Sequence, residues 1–409
     1  MNKKKLINDP VYGFITIPSA LVYDIIEEPV FQRLRRIKQL GLTEFVYPGA
    51  LHTRFHHALG AMHLMGKTIS ALQSKGHKIS DEECEAAQIA ILLHDVGHGP
   101  FSHALENTIL SGIHHEQLSV QLMNFLNEKY NQGLAMALQM FTGSYHRKFF
   151  HQLISSQLDV DRLDYLQRDC FFTGVSEGAI GADRIIEMLE VVNDSIVVQE
   201  KGIYSIENFL NARRFMYWQV YLHKTTLCTE MMLIQAVRRA KMLIQQGENV
   251  FATQALMTFM RQEVSLEDFI KDKNFVEYFS QLDDYDIWAS LKMWVSHADQ
   301  VLAMLSNAIL NRKLFKIRLS SEKPSEEIIE TLYQKMQQKY NFTLEESKYL
   351  VLNGTVTNAA YLAGSDSIHI LTKKGEIADI TEVSDLPNIK AMRTVVKKHY
   401  LCWHRSIDL

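Results

Sequence analysis

Ile89-Ala90-Ile91-Leu92-Leu93-His94-Asp95-Val96-Gly97-His98-Gly99-Pro100-Phe101-Ser102-His103 is the stretch on which the reading turns. Its apolar start predicts the end of a buried helix. That helix delivers an adjacent His94 and Asp95, after which two glycines and a proline force a turn. A buried imidazole–carboxylate pair is costly without a partner. A divalent cation is one such partner, because imidazole nitrogen and carboxylate oxygen both ligate it and its charge offsets the carboxylate. A core histidine beside a capping aspartate is the plain alternative.

The pair is not isolated. Of 17 histidines, ten fall between His52 and His115. Upstream, His52-Thr53-Arg54-Phe55-His56-His57 places Arg54 and His57 one helical turn apart. Downstream, Asp161, Tyr165 and Asp169 recur every four residues, while Val160, Leu163 and Leu166 mark a neighbouring apolar face. Such a stripe can border a cleft. His57, His94, Asp95 and Asp161 would then supply two neutral and two anionic ligands, leaving positions open for water and substrate. Manganese, iron, nickel, zinc or cobalt all suit this set, with magnesium entering alongside a substrate.

Outward from this cluster the chain is ordinary in texture. It has 409 residues, 47% hydrophobic and 22% charged, with 7 Pro and 19 Gly, which suits one large domain or two and excludes disordered, collagen-like and coiled-coil classes. Apolar runs such as Ile89–Leu93 span five residues, far below the roughly 18 a membrane span needs. The basic start Met1-Asn2-Lys3-Lys4-Lys5 leads into Asn8-Asp9-Pro10 rather than an apolar stretch, so no signal peptide is read, no membrane partner is expected and the expected location is cytoplasmic. Cys84, Cys170, Cys228 and Cys402 lie too far apart for a metal-binding pair and do not suggest a disulfide framework. A net charge of −4 does not indicate nucleic acid, although Arg33, Arg35, Arg36 and Lys38 are bunched as on a solvated helix face.

Spacing predicts helices near 55–75, 82–95, 114–128, 157–169, 182–192, 205–245 and 290–309. A small hairpin is expected from Ser195-Ile196-Val197-Val198 and Ile203-Tyr204. Beyond residue 313 strands are expected at Leu314–Leu319, Tyr349–Leu352 and Ile368–Leu371, with a helix over Glu326–Tyr340. The expectation is a mainly α protein: a helical body over 1–313 and a small α+β subdomain over 314–409.

The spacing His…His-Asp…Asp resembles the HD-domain metallophosphohydrolase superfamily, and the fuller pattern resembles its deoxynucleoside triphosphate triphosphohydrolase branch. Five stretches carry it: Asn8–Pro10, Phe31–Gly41, Tyr47–His57, His94–His103 and Asp159–Cys170. The resemblance implies an HD helical-bundle core over about 50–170 and the metal ligands His57, His94, Asp95 and Asp161, the four chosen above. It implies in-line attack of metal-bound water on the α-phosphorus of a dNTP, giving deoxynucleoside and inorganic tripolyphosphate. His103 and Glu106 match a catalytic His-x-x-acid pair, and His98 and His115 match positions touching phosphate near the scissile bond. Arg54 is either a phosphate clamp or a partner to a metal ligand.

By the same resemblance Gln39 and Asp169 bind the 3′-hydroxyl. Leu40, Tyr165 and Tyr221 pack on the sugar and exclude a 2′-hydroxyl, and Arg213, His223 and Lys224 face phosphates. Lys5, Leu6, Glu27, Gln32, Arg33 and Arg35 match positions that bind an activating nucleotide at the subunit interface of a homo-oligomer, dimer or tetramer. Two alternatives stand beside this reading: another HD-type nucleotide phosphohydrolase or phosphodiesterase, and a catalytically silent nucleotide sensor or nucleic-acid binder.

Overall fold

The computed structural model describes residues 5–358, 361, 367–392 and 394–409, apart from the side chain of His103. The decisive stretch closes the Asp81–Leu93 helix, which a reciprocal cap begins: Glu83 N–H donates to Ser80 Oγ at 3.2 Å and Ser80 N–H to the Glu83 carboxylate at 3.0 Å. Every residue from Ala86 to Leu93 is buried. A helix end buried on all sides must be surrounded, and this one packs on the Arg54–Ser74 helix, which packs in turn on the Val160–Thr173 helix. Gly60 permits that second contact. A Cβ there would collide with the Asp164 carboxylate and Arg168 guanidinium lying against it. Helices and their connections thus form a mainly α body.

The turn after Asp95 is built differently from expectation. Gly97 serves close approach: a Cβ there would strike the backbone of His115 and Ser119. Without it, Ser119 Oγ accepts from Gly97 N–H at 2.9 Å and donates to His94 O at 2.7 Å, pinning the helix end. The reversal is made instead by Phe101 and Ser102, both left-handed with φ of 53° and 51°.

Three predicted helices are shorter or interrupted. The segment expected over 182–192 is helical only over Ala182–Met188 and continues as strand β3 (Leu189–Val192), whose β-branched end pairs antiparallel with β4 (Ser195–Gln199). Asn193 and Asp194 join them with φ of 51° and 59°, the tight turn that suits Asn and Asp. The expected hairpin partner Ile203-Tyr204 instead opens the Ile203–Met216 helix. The segment over 205–245 is divided by a π-helical turn at Tyr217–Tyr221, after which His223 caps the Lys224–Gln245 helix by accepting from Thr225 N–H. Asp299 likewise caps a new helix, Gln300–Leu310, dividing the segment over 290–309.

The other strands are β1 (Leu6–Asp9), β2 (Gly13–Thr16), β5 (Lys316–Ser320), β6 (Val351–Asn358), β7 (His369–Leu371), β8 (Ile377–Asp379) and β9 (Val396–Trp403). β9 is the unforeseen centre of a sheet in the order β5-β9-β6, and the helix Glu326–Tyr340 lies where spacing put it. β7 runs parallel to β4, with Val198 opposite Ile370, so the residues after 313 share a sheet with the helical body. Among the described residues no helix is long and apolar enough to cross a membrane.

The basic bunch is not a uniform solvated face. Arg33 is wholly buried, and its guanidinium donates to Leu282 O at 2.8 Å, Val96 O at 2.7 Å and His98 O at 2.9 Å. Those bonds engage both terminal nitrogens, so Arg33 ties the chain together from a fully buried position. Lys5, Leu6, Glu27 and Arg35 are exposed and Gln32 half-buried.

Candidate metal centre and substrate cleft

His57 and His94 come from adjacent helices and meet edge to face, with Nε2 atoms 3.4 Å apart. Each ring is held at its far nitrogen: His57 Nδ1–H donates to the Asp164 carboxylate at 2.7 Å and His94 Nδ1–H to Ile91 O at 2.6 Å. Both Nε2 lone pairs therefore face the same point, as a metal ligand requires. Asp161 Oδ1 lies 3.1 Å from His57 Nε2 and 3.5 Å from His94 Nε2, and Asp95 lies 3.4 Å from His94 Nε2 and 3.7 Å from His57 Nε2. The ligand atoms of His57, His94 and Asp161 fall within 4.8 Å of one another; Asp95, His98 and His115 form a second such group beside them. Two mutually facing imidazole nitrogens with two carboxylates are the donor set that fits a divalent transition-metal ion.

The electrostatics agree with a cation-seeking site. Burial alone lowers the pKa of His57, but Asp161 and Asp164 outweigh it and push it up to about 10. Burial raises that of Asp161, yet the two imidazoles hold it far below the carboxylate range. The negative charge here attracts either a proton or a metal, and the two compete. Around this centre every carboxylate is engaged. Asp95 pairs with Arg54, whose Nε donates to Ser102 Oγ at 2.8 Å. Asp164 is shared by His57 and Arg168 and is drawn down to about 2, against burial, chiefly by Arg168; Arg168 also donates to Asp9 at 2.7 Å. His98 is pushed well below the usual imidazole range by burial and by Arg54.

The centre opens into a cleft of about 510 Å³. Its walls bring together Gln39, Leu40, Arg54, Asp95, His98, His115, Asp161, Tyr165, Asp169 and Tyr221. Asp169 is held from both sides, by His52 Nε2 at 2.7 Å and by the Tyr221 hydroxyl at 2.8 Å. Glu106 lies beneath His115, accepting from its N–H at 2.8 Å and facing its Nδ1 at 2.9 Å. From the left-handed pair Phe101 and Ser102 the chain runs through a 3₁₀ turn, Ser102–Ala104, into a short helix, Glu106–Ile109. The side chain of His103 lies outside the described residues.

Residues 54–169 match the family model described as HD domain, and residues 180–257 the one described as HD associated region. YwfO, an uncharacterized protein of Bacillus subtilis, is 32% identical over 401 residues, 94% of this chain and 88% of that protein. The crystal structure of a phosphohydrolase from Bacteroides thetaiotaomicron is similar with a TM-score of 0.95 at 51% identity, covering 98% of this chain and 100% of that one. The chain belongs to the HD-domain phosphohydrolase family. The deoxynucleoside triphosphate triphosphohydrolase SAMHD1 homolog of Dictyostelium discoideum is 32% identical over 265 residues, 60% of this chain and 51% of that protein.

HD domains bind divalent metals, and the His57–His94–Asp161 group has the donors to hold one. Outside the cleft walls stand Arg213, buried with Nη1 donating to Gln157 at 3.0 Å; the helix cap His223; and exposed Lys224. Residues that support the site but carry no role in the sequence reading include His52, Asp164, Arg168 and Tyr217. Asp164 carries a legible signal, lying three residues after Asp161 and four before Arg168 on one helix. His52 does not, since its partner Asp169 is 117 residues away. Glu230, from the Lys224–Gln245 helix, also lines the cleft, and burial alone raises its carboxyl to about 7.

Proposed function

We propose that this HD phosphohydrolase converts dNTPs to deoxynucleoside and inorganic tripolyphosphate. The observation that carries the reading is the meeting, in one cleft, of the metal-ligand cluster with Gln39, Leu40, Tyr165, Asp169 and Tyr221. A divalent cation held by His57, His94, Asp95 and Asp161 would supply Lewis-acid polarisation of a phosphoryl oxygen and make water a better nucleophile at neutral pH. The chain's own groups then divide the work. Arg54 faces both the cluster and the cleft, placing a guanidinium where a phosphate lies. His98, pushed below the usual imidazole range by burial and by Arg54, is suited to hydrogen-bonding phosphate.

His115, oriented by Glu106, adds a second imidazole at the same end. His103 with Glu106 is the pair proposed to return a proton to the leaving 5′-oxygen. At the other end the Tyr165 and Tyr221 rings, 6.2 Å apart, and Leu40 form an apolar seat for a deoxyribose, with Asp169 and Gln39 toward its 3′-hydroxyl. Similarity to the Dictyostelium triphosphohydrolase supports this choice of substrate. Homo-oligomerisation with an activating nucleotide belongs to the same proposal, resting on exposed Lys5, Leu6, Glu27 and Arg35 with half-buried Gln32.

Chromatographic separation of products tests it. Protein with Mn²⁺ and each dNTP, each NTP or their mixtures should yield deoxynucleoside and tripolyphosphate from dNTPs alone. Nucleoside mono- or diphosphates as products would place the chain with other HD hydrolases instead.

A further inference from the structure

Asp284 lies outside both matched family regions, yet it bonds both cleft-lining Phe101 and Lys38, the neighbour of cleft-lining Gln39. It is 2% exposed and begins the Asp284–Trp294 helix. One carboxylate oxygen accepts from Phe101 N–H at 2.7 Å and the other from Lys38 N–H at 2.9 Å. Lys38 precedes Gln39 and Leu40, the sugar-facing residues, and is bridged to Thr53 at the head of the Arg54–Ser74 helix. Phe101 begins the left-handed pair that turns the chain from His98 toward His103 and Glu106.

A Phe-Ser pair with φ near +50° at both residues does not hold that conformation unaided. Here the surroundings impose it. Asp284 fixes the Phe101 amide, Arg54 Nε donates to Ser102 Oγ, and the Phe101 ring lies edge-on to Trp288, one turn further along the Asp284 helix. The neighbouring residues reinforce the tie: Arg36 pairs with Asp283, and Arg33 joins Leu282 O to Val96 O and His98 O.

We propose that Asp284 is a positioning residue, whose single carboxylate sets the spacing between the sugar-facing segment Lys38–Leu40 and the turn that presents His98, Ser102 and His103. It touches no reacting atom. Its effect on turnover rests on the dNTP reading above; its effect on the two segments does not.

The test combines hydrogen-exchange mass spectrometry with kinetics and metal analysis on the full chain. In the wild-type protein, peptides covering 36–40 and 99–104 should both be protected, because one carboxylate holds an amide in each. In Asp284→Asn, which offers one acceptor oxygen where two are needed, both peptides should lose protection together while the Arg54–Ser74 helix keeps its own. Bound metal per chain should stay at the wild-type level, and kcat/KM for dNTP should fall roughly 10–100-fold, as expected for misplaced rather than missing groups. Absence of protection at either segment in the wild type overturns the proposal, and that measurement needs no variant. Unchanged protection in Asp284→Asn, or unchanged kcat/KM despite lost protection, overturns it too. If the wild type hydrolyses no dNTP, the substrate reading fails, while the exchange data still decide the brace.

Discussion

The two walls of the cleft differ in how fully their polar groups are partnered within the protein. On the metal-facing wall each carboxylate already has protein partners: Asp95 with Arg54, Asp164 with His57 and Arg168, Asp161 with His57 and His94. On the facing wall Asp169 is held too, by His52 and Tyr221, but other polar groups are left over. Gln39 Oε1 is buried without a hydrogen-bond partner among the described residues, and burial is the sole influence moving the Glu230 carboxyl. Buried polar groups without partners are costly, and active sites are where such costs are tolerated. The contrast teaches that the metal-facing wall is paired within the protein, while the facing wall keeps polar capacity its own fold does not use.

The largest effect should come from taking a ligand from the metal-facing wall. Asp161→Ala or His94→Ala should lower turnover on the order of 10³-fold and bound metal from about one per chain to near none, read by elemental analysis beside kinetics. Retained metal with lost activity would break the assignment of that wall.

Next in size is Asp164→Ala, which strips His57 of its orienting partner and leaves Arg168 buried with only Asp9. Removing one member of a buried charged network costs about 3–5 kcal/mol, to be read from denaturant unfolding.

The smallest effect should have the opposite sign. Glu230 has its folded pKa raised to about 7, so the folded state binds its proton more tightly than the unfolded chain does. The penalty is absent below the unfolded value near 4.5, grows as pH rises, and is complete above about 7. Glu230→Gln should therefore raise the melting temperature at pH 8 and leave it nearly unchanged at pH 4.5. A destabilising Glu230→Gln would show that the facing wall is internally paired after all.

Much of the metal-facing wall is legible in the sequence, because His57, His94-Asp95 and Asp161 carry their chemistry in residue type and helical spacing. The same spacing cannot place helix ends. Tyr217–Tyr221 reads as continuous helix by spacing, but folds as a π turn. The Asn193-Asp194 turn has the right residue types, but the apolar period before it outweighs them. β9 escapes because Val396–Trp403 mixes lysines and a histidine into a central strand, where pairing with both β5 and β6 overrides composition. His52 with Asp169, and Arg33 with Leu282, are long-range pairs that no local pattern announces.

The most direct test of the two-wall cleft is to run the reaction in ¹⁸O-labelled water and weigh both products. Attack at the α-phosphorus by a nucleophile held on the metal-facing wall, with the deoxyribose seated on the other, predicts one ¹⁸O in tripolyphosphate and none in the deoxynucleoside. Label in the deoxynucleoside, or a labelled pyrophosphate released with nucleoside monophosphate, would contradict it.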